Sequence, residues 1–209
     1  MQKKIGIDIG ACIGETLYQF NNFDIVYAVE PAEQEYKILK QKFKSDKRII
    51  PVQYAISDEN GESMLNCYEN GRFSSFLDYN REGDFYDFLD KFEGVDAFDD
   101  LREIEKVKTI RLDTFIERYN IINKSQQYID FIKTDTQGND LKVIKSLGKY
   151  INNVKKIQVE VQLQELYKNS PKKEDIVEYM NSNNFELIDV DYGEKSKEYE
   201  EDLTFKLKI

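Results

Sequence analysis

The feature that most constrains the fold is an alternation of short apolar segments with helix-length segments. Strands are predicted at 5–9, 24–29, 49–56, 129–134 and 155–161. Helices are predicted at 14–20, 31–43, 140–147 and 174–181. Because strands that alternate with helices form parallel sheets, we predict an α/β fold with helices on both faces. Segments 185–190 and 203–209 predict an antiparallel edge pair, and 62–67 predicts a hairpin arm after the Asn60-Gly61 turn.

Composition narrows the classes of function. The 209 residues predict a single domain spanning 1–209, and 40% hydrophobic residues provide enough material for a core. A formal net charge of -10 disfavours a nucleic-acid partner, and no apolar run is long enough to span a membrane. Two cysteines and the absence of a secretory segment predict a reduced, cytoplasmic protein. Since the chain has no histidine, proton transfer must use Asp, Glu, Lys, Tyr or water.

One segment, 78–106, departs from the rest in charge. It contains eleven acidic and four basic residues, and four of its large apolar residues share one helical face, namely Phe85, Phe88, Leu89 and Phe92. Two interpretations stay open. The segment is either a solvated acidic helix packed on the domain or an acidic insertion that acts as a lid over a substrate pocket.

The strongest local signal is the loop 8–14, which reads Asp-Ile-Gly-Ala-Cys-Ile-Gly between a strand and a helix. Its glycines allow a ligand to approach the backbone, and Glu30 ends the next strand, where a carboxylate can accept ribose hydroxyls. This spacing fits a nicotinamide cofactor or S-adenosylmethionine. The Gly-x-x-x-Gly spacing and Asp8 favour a ligand with an ammonium and a sulfonium over a pyrophosphate. A tight turn without a ligand is the alternative.

Two acidic residues are candidates for the reaction centre because they end neighbouring predicted strands. Asp135 follows an apolar strand, and Gly138 permits a sharp turn after it; Glu160 ends the next strand. Asp135 is able to contact a donor ammonium, accept a substrate proton or hold a divalent ion. The alternatives are a helix cap for Asp135 and an ordinary exposed strand residue for Glu160. Ser74 and Ser75 lie in a loop and are candidates to orient a substrate hydroxyl, with a simple turn as the alternative.

Six blocks in order carry a resemblance to a known family. They are the loop 8–14, Val29-Glu30-Pro31, Ala55-Ile56-Ser57-Asp58 with Gly61, Ser74-Ser75-Phe76, Leu112-Asp113-Thr114-Phe115, and the run 129–138, Ile-Asp-Phe-Ile-Lys-Thr-Asp-Thr-Gln-Gly. Together they resemble the FkbM-type family of S-adenosylmethionine-dependent methyltransferases, from near the N-terminus to about Val161. The resemblance implies a class I methyltransferase (Rossmann-like) fold: a seven-stranded, mostly parallel sheet whose last strand is antiparallel.

The resemblance also implies roles for individual residues. Asp8, Gly10 and Gly14 would frame the methionine end of S-adenosyl-L-methionine, with Thr16 at its carboxylate. Further cofactor contacts are implied for Glu30 at the ribose, Pro31 beside it, Ala55 and Ile56 at the adenine, and Asp135. Ala55 and Ile56 are equally explained as plain core. The family often has Glu where Gln137 and Asp140 stand, so a divalent metal is left open.

The predicted activity is O-methylation of a small hydroxylated molecule, with a sugar or glycan unit suggested by the family. Two alternatives remain: a catalytically inactive cofactor-binding subunit of the same fold, and a nicotinamide-dependent oxidoreductase. The second lacks a convincing Tyr–Lys relay, since neither Tyr36-Lys37 nor Tyr150 supplies one. The sequence leaves open whether the chain forms a homo-oligomer.

Overall fold

The fold is known from a computed structural model that describes residues 2–80, 101–192 and 200–208. Its main sheet has seven strands, and the residues of the central strands are buried on both faces. The sheet strands are β1 (Ile5–Ile9), β2 (Ile25–Val29), β3 (Ile49–Val52), β7 (Phe131–Thr134), β8 (Lys156–Gln162), β9 (Phe185–Asp191) and β10 (Glu200–Leu207).

The strand order β3-β2-β1-β7-β8-β10-β9 confirms the predicted fold class. Strands β3, β2, β1, β7 and β8 run parallel, and β10 is antiparallel to both of its neighbours. The order reverses at β1, where β2 lies on one side and β7 on the other. A ligand crevice forms beyond the carboxyl ends of the strands at such a point.

Two hydrophobic layers hold the sheet between helices. One face packs on α2 (Leu112–Arg118), α3 (Asp140–Lys145) and α4 (Lys173–Ser182), through residues such as Phe115, Ile144 and Met180. The other face packs on α1 (Glu33–Lys42) and on a short 3-10 helix (Thr16–Phe20), through Leu39 and Phe20. Two further 3-10 turns span Gly71–Phe73 and Gly148–Asn153.

A second sheet of three strands was not predicted as such. It has the order β4-β6-β5, formed by β4 (Ala55–Ile56), β5 (Gly61–Tyr68) and β6 (Leu101–Ile110). The predicted single strand at 49–56 is therefore wrong. The main sheet offers no further pairing after Val52, and Ala55 pairs with Thr109 of β6 instead. The strand expected at 62–67 is present, but its partner is β6 and not the preceding strand.

Two other expectations need correction. The helix expected at 14–20 is a five-residue 3-10 helix that begins at Thr16, because Gly14 has a φ of +77° and its N–H closes a turn on the Ala11 carbonyl. In the acidic segment 78–106, residues 101–106 belong to β6 and are not helical. The apolar stripe from Phe85 to Phe92 lies outside the described residues.

Candidate active site

A cavity of about 470 Å³ opens beyond the carboxyl ends of β1, β2, β7 and β8. Its walls come from the loop after β1, from the second sheet and from the loop after β7. The lining residues include Gly10, Cys12, Thr16, Glu30, Pro31, Tyr54, Ala55, Ile56, Arg72, Phe73, Ser74, Phe76, Asp135, Thr136, Gln137, Asn139, Glu160 and Glu200. The candidate residues from the separate predicted strands thus meet at one place.

The loop after β1 is shaped by close backbone packing. The N–H groups of Gly10 and Ala11 both donate to the Val29 carbonyl at 3.0 Å. Gly10 has a φ of +80°, and a Cβ on it would lie 1.9 Å from the carbonyl oxygen of Asp135. No other residue type fits this position without moving the backbone. Gly14, by contrast, lies away from the cavity lining, since a Cβ there would meet Phe43 and Leu39.

Glu30 is fixed at the end of β2 by two backbone donors. Its Oε2 accepts from the Cys12 N–H at 2.8 Å, and its Oε1 accepts from the Ala32 N–H at 2.9 Å. Burial raises the pKa of this carboxyl to about 8, although both N–H groups act in the opposite direction. Each oxygen keeps a further lone pair, so the fixed carboxyl group is able to accept hydroxyls from the cavity.

Asp8 lies on β1 beneath the cavity and is fully buried. Its Oδ2 accepts from the Thr16 hydroxyl at 2.9 Å, and its Oδ1 has no hydrogen-bond partner. Burial raises the pKa of Asp8, and Lys133 partly offsets the rise. Asp8 therefore fixes Thr16, which itself lines the cavity.

Asp135 follows β7 and is paired with a buried lysine. Its Oδ2 lies 3.0 Å from Nζ of Lys133, whose side chain is 3% exposed. Burial opposes ionisation of Asp135, but the charge of Lys133, together with hydrogen bonds, lowers its pKa below the ordinary value. Burial alone would lower the pKa of Lys133, but the nearby carboxyls of Asp135 and Asp8 hold this pKa above its ordinary value. Asp135 is therefore an ionised carboxylate facing the cavity.

Glu160 lies close to Asp135, but its pKa is shifted in the opposite direction. Burial raises its pKa well above the ordinary value, and the neighbouring carboxylates of Asp135 and Glu200 add to the rise. A side-chain hydrogen bond from Glu160 contributes to the lowered pKa of Asp135. Two carboxyls whose pKa values are pushed apart are a pattern found at acid–base sites.

Gln137 joins the two carboxyls. Its Nε2 donates to Asp135 Oδ1 and to Glu160 Oε2, each at 2.8 Å. The hydroxyl of Tyr167 lies 2.8 Å from Gln137 Oε1. Gln137 has a φ of +51°, so the loop holds it in a conformation that is uncommon for a residue with a side chain.

Asp140, the other position where the family often has Glu, does not face the cavity. Its Oδ1 accepts from the Thr134 hydroxyl at 2.6 Å and from the Thr136 N–H at 3.0 Å. Burial raises its pKa to about 6. The residue thereby fixes the loop between β7 and α3.

The two candidate serines have different surroundings. Ser75 Oγ donates to the Gln137 carbonyl at 2.7 Å and accepts from the Leu77 N–H at 3.0 Å. Ser74 Oγ is a buried atom without a partner in the cavity wall, and so is Thr136 Oγ1. These two hydroxyls are available to a ligand. The substrate roles of both serines stay predictions.

The described part of the chain contains no group of three or more His, Cys, Asp or Glu side chains placed to hold a metal ion. Within the same residues, no helix is long and apolar enough to cross a membrane.

Several important residues were not singled out from the sequence. Lys133 is a charged residue inside an otherwise apolar strand, two positions before Asp135, and this placement on the same strand face was a usable signal. In the sequence Gln137 appears only as a departure from the family pattern. No motif marks Asn139, whose Nδ2 donates to the Ile56 carbonyl at 3.4 Å in the cavity wall. Tyr167 carries no local signal because its contact with Gln137 spans 30 residues.

Comparison with known proteins decides the family. The sequence profile of the FkbM methyltransferase domain matches residues 8–187. The chain belongs to the FkbM methyltransferase family. This membership confirms the resemblance carried by the six sequence blocks. No curated protein matches the chain in sequence.

Solved structures confirm the class I methyltransferase fold. The FkbM methyltransferase from Methylobacillus flagellatus has a TM-score of 0.58 at 17% identity, over 98% of this chain and 43% of that chain. Magnesium protoporphyrin IX methyltransferase from Synechocystis, with bound S-adenosylmethionine, has a TM-score of 0.54 at 9% identity, over 99% of this chain and 71% of that chain. Aeropyrum pernix fibrillarin, also with bound S-adenosylmethionine, has a TM-score of 0.51 at 10% identity, over 98% of this chain and 66% of that chain. This FkbM family member spans less than half of its Methylobacillus counterpart.

Proposed function

We propose that this chain binds S-adenosylmethionine and methylates a hydroxyl of a small molecule, with a sugar or glycan unit as the acceptor class. The observation that carries the proposal is the pairing of Asp135 with Glu160 on the wall of the cavity, where the Gln137 amide donates to both carboxyls at 2.8 Å. An alcohol acceptor must lose its proton as it is methylated, and the chain has no histidine to take it.

The cavity fits the cofactor on three counts. Gly10 lines the cavity, and its lack of a side chain lets the loop after β1 pack directly on the Asp135 carbonyl. Glu30 presents a fixed carboxyl group to the ribose hydroxyls. Thr136 offers a buried hydroxyl without a partner. Thr16, Pro31, Ala55 and Ile56 line the same cavity and complete the proposed contact set.

When bound, S-adenosylmethionine supplies an electrophilic methyl group. The protein's own contribution is to orient the acceptor, exclude water and accept a proton, and correct orientation alone supplies several orders of magnitude in rate. Asp135 would accept the acceptor's proton at Oδ1 or Oδ2, and Glu160 would hydrogen-bond the acceptor or Asp135. Ser74 would orient the acceptor through its unpartnered hydroxyl.

Charge in the cavity favours a neutral or cationic acceptor over an anionic one. The lining includes the carboxyls of Asp135, Glu160 and Glu200, while Arg72 is paired with Glu15 at 2.6 Å. A phosphate or sulfate group on the acceptor would meet these carboxyls at close range. A polyhydroxylated sugar unit would instead find hydrogen-bond acceptors.

The test is methyl transfer from radiolabelled S-adenosylmethionine to a panel of neutral sugars, amino sugars and phosphorylated sugars. Wild type should label a hydroxyl of a neutral or amino sugar, and Asp135→Asn should reduce the rate by about 10²–10⁴-fold. The Asp46→Asn variant, which alters a carboxyl paired with Arg48 outside the cavity lining, is the matched control. Cofactor binding with no labelling of any acceptor would support the inactive binding module instead.

A further inference from the structure

The side-chain amide and the main-chain carbonyl of Gln137 are all hydrogen-bonded at the cavity wall. Its two amide hydrogens go to two different carboxyls, and its Oε1 faces Tyr167. Its main-chain carbonyl accepts from Ser75. The residue is 6% exposed and is kept at a φ of +51°. A surface glutamine would not be fixed at four points in an uncommon backbone conformation.

We propose that Gln137 is a positioning residue that holds Asp135 and Glu160 together as a pair sharing one proton, with Tyr167 fixing the direction of its amide. The inference rests on the proposed function, because the pair is the proton acceptor assigned there.

The chemistry of the neighbours fixes which way the amide points. Two carboxyl oxygens face one end of the Gln137 side chain, and they require the end that donates two hydrogens. A hydroxyl faces the other end. Burial raises the pKa of Tyr167 well above its ordinary value, so this hydroxyl keeps its proton and is able to donate. The hydroxyl also lies 3.0 Å from the Phe73 carbonyl and 3.3 Å from the Tyr79 hydroxyl, which hold it in place.

The charges around Asp135 and Glu160 explain why the two carboxyls would share one proton. Lys133 supplies one positive charge, next to Asp135. The acidic groups that act on the pair or on Lys133 from neighbouring elements are Asp8 of β1, Asp140 of α3, and Glu200 and Asp202 of β10. Lys133 is the cation of the described residues that acts on both members of the pair, and so many neighbouring carboxyls disfavour ionisation of both members near neutral pH. The amide stabilises the ionised member without adding a further charge.

The experiment compares the affinities of S-adenosylmethionine and S-adenosylhomocysteine by calorimetry from pH 5 to 9. The two ligands differ by the methyl group and its positive charge, so the ratio of their affinities reports the charge that faces the sulfur. In wild type, the preference for S-adenosylmethionine should rise by about tenfold as Glu160 loses its proton. Tyr167→Phe and Gln137→Glu should each raise the pH midpoint of this change in preference by about half a pH unit or more. In Tyr167→Phe the amide is no longer fixed to donate to the two carboxyls. In Gln137→Glu the two carboxyls lose the amide donors and gain a neighbouring like charge.

Tyr150→Phe is the matched control, since it removes a hydroxyl bonded to Glu117 that does not line the cavity, and it should leave the midpoint unchanged. An unchanged midpoint in both Tyr167→Phe and Gln137→Glu would overturn the role of Gln137 and leave the proposed function standing. Failure of wild type to bind either ligand would overturn the proposed function.

A second measurement needs no ligand. The carboxyl ¹³C signal of Glu160, identified by its loss in Glu160→Gln, should titrate in wild type well above the ordinary range of glutamate. Titration of Glu160 in the ordinary range would overturn the one-proton pair directly.

Discussion

Gly10 and Asp135 contact each other so closely that a single added carbon would not fit between them. The ideal Cβ position of Gly10 lies 1.9 Å from the Asp135 carbonyl oxygen, and the Asp135 N–H donates to the Ile9 carbonyl at 3.0 Å. The loop after β1 and the loop after β7 therefore form one unit. A change in either loop is expected to displace the other.

Gly10→Ala should destabilise the protein by about 3 kcal/mol or more, because it combines a positive φ with a backbone collision. Chemical denaturation measures the loss. Gly61→Ala is the control: Gly61 also has a positive φ, but its Cβ would have only the Thr109 hydroxyl near it, at 4.0 Å. Equal losses in the two variants would contradict the account of the Gly10 contact.

Lys133→Met should lower the free energy of unfolding by about 3–5 kcal/mol near neutral pH, since it leaves Asp135 as an unpaired, largely buried charge. The folded pKa of Asp135 is lowered, so its stabilisation is present above the unfolded value and is lost as pH falls through the folded value. The variant should therefore lose less stability than wild type on acidification.

The control for Lys133 is another Lys–Asp pair. Lys155 lies 2.7 Å from Asp130, but its side chain is 45% exposed. Urea denaturation should show a loss of about 1 kcal/mol or less for Lys155→Met. A comparably small loss of stability in Lys133→Met would contradict the predicted contribution of the buried Lys133–Asp135 pair to the free energy of unfolding.

Strong local periodicity explains why most of the main sheet was predictable. Segments such as Ile5–Ile9 are apolar throughout, as strands buried on both faces must be, and each is bounded by turn residues. Strand β6 was missed because the apolar residues of Leu101–Ile110 recur at every third position instead of every second, and half of the strand is exposed. Its pairing with β5 connects residues more than thirty positions apart, and local patterns do not specify such a contact.

Glu30→Gln should change how stability depends on pH. Burial raises the folded pKa of Glu30 to about 8, above the value of 4.5 for an exposed glutamate. Between these values the folded state binds one proton more than the unfolded state, so this group lowers stability as pH rises. The stability of wild type relative to the variant should fall by about 1.4 kcal/mol per pH unit between pH 5 and 8. Denaturation curves that differ by a constant amount across this range would contradict the raised pKa.

Ser74→Ala and Ser75→Ala should separate ligand binding from folding. Ser75 is buried and bonded to the main chain of Gln137 and Leu77, so its loss should cost about 1–2 kcal/mol of stability. Ser74 Oγ has no partner, so its loss should change stability by less than about 0.5 kcal/mol and raise KM for the acceptor. Thermal denaturation and steady-state kinetics measure the two effects. A large stability loss in Ser74→Ala would contradict its assignment to the acceptor.

The candidate site was predictable only in part, for a physical reason. Asp135 and Glu160 stood out because the carboxyl ends of parallel strands gather at one edge of a sheet. The amide link through Gln137 depends on the positive φ at residue 137 and on Tyr167, which reaches the site from a distant loop. Sequence spacing alone specifies neither feature.

The central claim is that the cavity binds S-adenosylmethionine through Glu30. Calorimetric titration of wild type and Glu30→Ala with S-adenosylmethionine, and separately with NADH, tests this claim most directly. The account predicts micromolar binding of S-adenosylmethionine to wild type, weakened by about 1–3 kcal/mol in Glu30→Ala, and no binding of NADH. Binding of NADH without binding of S-adenosylmethionine would contradict the account and support an oxidoreductase in its place.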